Sequence, residues 1–146
     1  MDADAKFMQL AIDQARNSKE WLPCGAVIIQ FDKLIAASYN NQHAANDPSG
    51  HAEINALRSA GKITGSKFLE GSTVYATCEP CVMCLSALMY AKVSRLVYGA
   101  TLKEVVPKEK YIPISAKEFL KISPRKFEIV PSFMKEQCMT FYCNKP

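Results

Sequence analysis

The sequence predicts an α/β protein, a three-layer α/β/α sandwich around a five-stranded mixed sheet. Two observations carry this. In the second half of the chain, strand-like and helix-like runs alternate, and that alternation implies parallel strands joined by crossover helices. In the first half, two strand-like runs follow each other across a short polar turn, which implies an antiparallel hairpin. The length of 146 residues and a hydrophobic content of 49% suit one packed domain, residues 1–146, that needs no disulfide scaffold.

The elements follow in order. Residues Asp4–Lys19 place Phe7, Leu10, Ala11 and Ala15 at helical spacing, and the run Trp21, Leu22, Pro23 breaks it. Gly25–Phe31 (GAVIIQF) and Lys33–Tyr39 (KLIAASY) read as strands, with Asp32 and Lys33 at the turn. Asn40–Gly50 is rich in turn-forming residues and reads as a loop. His51–Ala60 reads as a helix closed by Gly61, where a terminating glycine belongs. Ser72–Thr77 is the third strand and Pro80–Ala91 a helix whose early proline gives up no hydrogen bond. Ser94–Gly99 is the fourth strand. Lys103–Lys121 is helical in pieces, interrupted by Pro107 and Pro113. Phe127–Val130 is the fifth strand, and Ser132–Tyr142 a closing helix.

Composition excludes several classes. The apolar fraction is too high for a disordered chain. The longest apolar runs are about six residues, against the ~20 that a spanning helix needs, so no membrane partner is expected. The acidic start, Met1 to Asp4, is unlike a secretory signal, and a cytoplasmic location is expected. Residues 1–100 are charge-balanced, and the whole net charge of +4 falls in residues 101–146. A basic terminal third can attract a polyanion, or can simply be a solvated face.

Chemistry concentrates at two places. His51 and Glu53 are two residues apart, and Pro80, Cys81 and Cys84 follow further along. Cys81 and Cys84 at i and i+3 project from one side of a helix. Their place in its first turn favours thiolates. One imidazole and two thiolates make three zinc ligands, the pattern of a catalytic site that keeps its fourth position for water. Glu53 is then placed to move that water's proton, work worth about 10²–10⁴ in rate. Other arrangements are open. Cys24, Cys78, Cys81 and Cys84 can be read as a structural thiolate site, and Cys78 can replace one ligand. More simply, Cys78 ends its strand and packs in the core. His43 reads as exposed, and Cys138 and Cys143 as packing residues.

The pattern H-x-E…P-C-x-x-C is the signature of zinc nucleobase deaminases. The sequence resembles the cytidine and deoxycytidylate deaminase superfamily, and within it the branch of guanine deaminases and bacterial tRNA adenosine deaminases. Pro23–Val27 (PCGAV), Asn46–Glu53 (NDPSGHAE) and Thr77–Cys84 (TCEPCVMC) carry the resemblance, which spans roughly residues 4–100. It implies a cytidine deaminase-like fold, one zinc per subunit held by His51, Cys81 and Cys84, Glu53 as proton shuttle, and a homodimer. It also implies that Asn40 hydrogen-bonds the substrate, with a turn residue in the run Tyr39–Gln42 as the other reading of Asn40.

The resemblance implies hydrolytic loss of ammonia from a purine base or nucleoside, a small-molecule partner, with guanine the first candidate. The alternative is a tRNA adenosine-to-inosine deaminase, favoured by the basic terminal third. A further alternative is a zinc-stabilised binding module without activity, against which an intact Glu53 argues. Two departures bear on the substrate. Cys24 stands where the branch often has an aromatic or other apolar residue. Gly99 is followed by Ala100, Thr101, Leu102 and Lys103, without the Arg-Asp pair usual in tRNA-acting members. The acidic residue by which guanine deaminases read the base has only Glu109 as a counterpart in Val105–Ser115.

Overall fold

The computed structural model describes residues 2–142. Helix α1 (Ala3–Ala15) precedes the strands β1 (Gly25–Gln30) and β2 (Lys33–Tyr39). Helices α2 (Gln42–Ala45) and α3 (Ala52–Thr64) lead to β3 (Ser72–Cys78), α4 (Val82–Tyr90) and β4 (Arg95–Ala100). The last stretch holds α5 (Leu102–Val105), a 3-10 turn (Lys108–Lys110), α6 (Ala116–Ile122), β5 (Glu128–Val130) and α7 (Lys135–Met139).

The sheet order is β2-β1-β3-β4-β5. β1 is antiparallel to both β2 and β3, whereas β3, β4 and β5 run parallel. This is the mixed five-stranded sheet that the alternation implied. Strand residues alternate between two cores, as a pleated sheet requires. Ala26, Ile28, Val74, Ala76, Leu96 and Tyr98 face α3, α4 and α6. Val27, Ile29, Tyr75 and Val97 face the other way, against Phe7, Met8, Ala11 and Ile12 of α1 and Cys138 of α7. Helices therefore cover both faces.

Two glycines set how closely these layers approach. A Cβ on Gly25 would overlap the Ala11 carbonyl, and one on Gly99 would overlap the Cys138 side chain. α1 and α7 lie directly on the sheet because those strand positions carry no side chain.

Several boundaries differ from the sequence reading. Phe31 and Asp32, both at positive φ, form the β1–β2 turn, and Lys33 already belongs to β2. α3 runs through Gly61 to Thr64. Gly65, at φ +70°, is the residue that stops it, because the left-handed terminating position falls there. α1 ends at Ala15, short of Lys19, where Asn17 and Ser18 turn back on Gln14 and Ala15. The loop Asn40–Gly50 contains α2, one helical turn. α4 begins after Pro80, with Cys81 as N-cap, and the closing helix is only α7, preceded by Met134 in the left-handed region. Cys143 lies outside the described residues.

Candidate metal centre and active site

Two helix N-termini meet at the C-terminal end of β3. His51 is the N-cap of α3 and Cys81 the N-cap of α4, both in extended backbone conformation. The loop before His51 is held by its own polar residues. Asp47 accepts from the Ser49 N–H at 2.9 Å and its hydroxyl at 2.7 Å, and Arg58 pairs with Asp47 at 3.2 Å. Asn55, one turn into α3, donates to the Tyr39 carbonyl and to Asn41, each at 2.9 Å. These bonds fix where α3 starts and so where His51 points.

His51 Nδ1 lies 3.7 Å from Cys81 Sγ and 3.5 Å from Cys84 Sγ, and the two sulfurs are 3.9 Å apart. Tetrahedral zinc with ordinary Zn–N and Zn–S bonds places such atoms about 3.6 Å and about 3.8 Å apart. The triangle therefore fits the ion, and among the described residues these three form the cluster able to hold a metal. The alternatives with Cys24 or Cys78 as ligand are not what the geometry brings together. Cys78 is buried at the end of β3 and faces the pocket beside Cys24. His43 is exposed and pairs with Glu20 at 2.8 Å, and Cys138 is buried in the core.

The three side chains divide charge unevenly. Hydrogen bonding from Cys84, and then from His51, holds the Cys81 thiol down to about 4. The hydrogen bond with Cys81 in turn lifts His51 to about 9. Cys84, beside the Cys81 thiolate and largely buried, is pushed far up. Metal uptake therefore displaces the protons of Cys84 and His51.

Glu53 is buried in the first turn of α3, and burial raises its carboxyl above the usual range despite a hydrogen bond from Cys84. A carboxyl so raised is suited to hold a proton for part of a reaction cycle.

A cavity of about 280 Å³ opens in front of these residues. His51, Glu53, Cys81 and Asn40 line it together with the apolar and aromatic side chains of Trp21, Val105, Val106 and Tyr111. Asn40 is 4% exposed. Its side-chain oxygen accepts the Cys24 N–H and its amide donates to the Leu22 carbonyl, both at 2.8 Å. The turn reading of Asn40 is thus too weak: the side chain braces the loop before β1. One amide hydrogen and one lone pair remain beyond those two bonds.

Sequence reasoning missed the apolar and aromatic lining and Glu79. Trp21, Val105, Val106 and Tyr111 come from segments without periodicity, so only the fold brings them to the pocket. Glu79 had a signal, an acidic residue set inside the otherwise apolar segment 78–85, and the structure buries it.

Residues 1–100 match the model of the cytidine and deoxycytidylate deaminase zinc-binding region. The chain belongs to this family. A tRNA-specific adenosine deaminase of Buchnera aphidicola subsp. Schizaphis graminum is 32% identical over 143 residues, covering 97% of this chain and 92% of the relative. The guanine deaminase of Bacillus subtilis is 42% identical over 78 residues, covering 53% of this chain and 50% of the relative. Among solved structures, one from a study of A-to-I editing by tRNA:A34 deaminases superposes with a TM-score of 0.80 at 32% identity, covering 94% of this chain and 99% of that one. The Bacillus subtilis guanine deaminase structure gives 0.65 at 35% identity over 68% and 66% of the two chains. This deaminase is therefore of the zinc-dependent hydrolytic type, with the cytidine deaminase-like fold expected from the sequence. The likeness runs nearly end to end with the Buchnera tRNA adenosine deaminase and is partial with the guanine deaminase, so the comparisons favour the alternative that the sequence offered over its first candidate.

Proposed function

We propose that this deaminase converts an adenosine carried in an RNA strand to inosine, replacing the amino group with an oxygen from water that becomes the ring carbonyl and releasing ammonia. The observation that carries the chemistry is the His51, Cys81 and Cys84 triangle with buried Glu53 beside it at the base of the pocket. The length of the likeness to tRNA adenosine deaminases supports the substrate.

His51, Cys81 and Cys84 would hold zinc, which when bound supplies Lewis-acid activation of a water molecule. Glu53 is placed to take one proton from the attacking water and pass it to a purine ring nitrogen, and then to take the second from the hydroxyl left on the ring carbon and pass it to the departing amine. The same carboxylate thus acts first as base and then as acid. The spare amide hydrogen and lone pair of Asn40 grip an edge of the base. Trp21, Tyr111, Val105 and Val106 exclude bulk water and give the ring an apolar surface.

An RNA substrate is also favoured by a second cavity of about 300 Å³, lined in part by Lys103 and Lys108. It shares Glu79, Leu102 and Tyr111 with the first, and its two lysines, beside Glu118, are cations next to the pocket that could meet phosphates. Free guanine is the second reading, favoured by the partial match to guanine deaminase. An ammonia-release screen over an anticodon stem-loop RNA, adenosine, guanosine, guanine and cytidine tests both. RNA turnover should weaken steeply between about 50 mM and 200 mM salt, whereas turnover of a free base should barely respond. Release from guanine alone overturns the RNA reading.

The same reading takes residues 1–146 as one domain acting in the cytoplasm as a homodimer, and light scattering checks the assembly. No helix among the described residues is long and apolar enough to cross a membrane.

A further inference from the structure

Both ends of a segment that lines the pocket meet at one buried carboxylate. Glu79 is 4% exposed and sits between the end of β3 and the N-cap of α4. Its Oε1 accepts the Leu102 N–H at 3.0 Å, and its Oε2 accepts the Ala116 N–H at 2.7 Å. Leu102 is the first residue of α5 and Ala116 the first residue of α6. Amides in the first turn of a helix have no partner within it. Each helix already carries a capping box, Thr101 with Glu104 and Ser115 with Glu118. Those boxes satisfy the N-cap and third amides and leave the first. Glu79 supplies the missing acceptor to both helices at once.

The two pinned residues are fourteen positions apart, and the chain between them supplies part of the wall of the active-site cavity. Val105, Val106, Lys110 and Tyr111 all line the pocket. The Lys110 ammonium stands 5.6 Å from the centre of the Trp21 ring, on a residue that lines the same pocket from another loop. Glu79 also donates its own backbone N–H to the Ala100 carbonyl at 2.7 Å. The turn that carries Cys81 is therefore bonded to the end of β4, two residues before the segment that Glu79 pins.

We propose that Glu79 is a positioning residue that clamps residues 102–116 at the pocket wall and so sets how tightly the base is held. It acts through that segment and neither holds the metal nor moves the proton, because both of its oxygens are occupied by backbone amides. The proposal rests on the deaminase reading only in that the substrate base occupies this pocket.

The chemistry needs a carboxylate. Two N–H donors require two acceptor oxygens, and a glutamine side chain offers one oxygen and one NH₂ group. In Glu79→Gln, either orientation of the new amide sets a donor against a donor and leaves one buried N–H unpaired. The shape is kept and the clamp is cut at one end.

The experiment compares zinc-loaded wild type with Glu79→Gln. It measures zinc per chain, hydrogen exchange at the Leu102 and Ala116 amides, and kcat and KM separately on the substrate that the ammonia screen identifies. Expected are unchanged zinc content, lost protection at one of the two amides, and a KM raised about 10-fold at little-changed kcat, the signature of lost uniform binding. Unchanged KM and protection, loss of zinc, or a fall in kcat at constant KM would each overturn the proposal. Should Glu79→Gln fail to fold, exchange in the wild type decides. Protection of both amides supports the clamp, and exchange at open-chain rates removes it. The zinc and exchange measurements need no substrate, so a wrong substrate assignment fails separately from a wrong clamp.

Discussion

Asn40 and Cys24 are joined by a hydrogen bond from the Cys24 backbone N–H to the Asn40 side-chain oxygen at 2.8 Å, sixteen positions apart in sequence. With the second bond, from the Asn40 amide to Leu22, it makes Asn40 a brace as well as a pocket residue. Asn40→Ala should therefore do two things. It should lower stability by about 1–3 kcal/mol, because buried backbone groups lose their partners. It should also impair substrate use while leaving zinc content unchanged. Urea unfolding and a zinc assay on the same sample separate the effects. Normal turnover in a destabilised protein would leave Asn40 a brace alone.

Glu53→Gln keeps the shape of the buried side chain and removes its ability to take a proton. Zinc content and fold should persist, while ammonia release falls by at least about 10²-fold. Burial raises the carboxyl, so the amide also spares the site a charge in an apolar place, and the melting temperature should not drop. Retained activity would take the proton shuttle away from Glu53.

Cys81→Ser replaces a thiolate with a hydroxyl that ligates zinc poorly at neutral pH. Zinc per chain should fall well below one, and activity should fall with it. Chelation of the wild-type protein should abolish activity, and added zinc should restore it. A metal held by His51, Cys81 and Cys84 would join the N-termini of α3 and α4, so chelation should lower the melting temperature. Undiminished zinc in Cys81→Ser would reassign the ligand, with Cys78 the neighbour to examine.

The candidate metal-binding triangle was legible in the sequence because its parts follow from local geometry. Cys81 and Cys84 share a side at one-turn spacing, and Pro80 and the NDPSG run mark where two helices begin. The sheet was legible from alternation, since crossover helices leave the chain little choice of strand direction. The substrate side was not. Trp21 and Tyr111 are ninety positions apart and reach one cavity only after the sheet forms. The helix end misplaced at Gly61 shows the same limit: glycine permits a terminating conformation without requiring it, and position 65 was where the chain had to turn.

Asp4 and Arg95 tie α1 to β4 with two parallel bonds, at 2.8 Å and 2.7 Å, and Tyr75 donates its hydroxyl to the same carboxylate. The Arg95 hydrogen bonds hold the Asp4 carboxyl below its usual range, with Tyr75 adding to the effect against some loss from burial. A group whose pKa is lower in the folded protein than in the unfolded chain stabilises the fold above the unfolded value, about 3.9. That contribution is lost as pH falls through the folded value. Wild type should therefore lose stability progressively below about pH 4. Asp4→Asn should be less stable at pH 7 by about 1–2 kcal/mol, the pair being partly solvent-exposed. In acid its stability should converge on that of wild type, because protonation of wild-type Asp4 has then removed the charge that the variant lacks. Denaturant titrations of the two proteins at pH 7 and at pH 3 measure this directly. A constant difference at both values would place the contribution of Asp4 in packing at the start of α1 instead of in its charge.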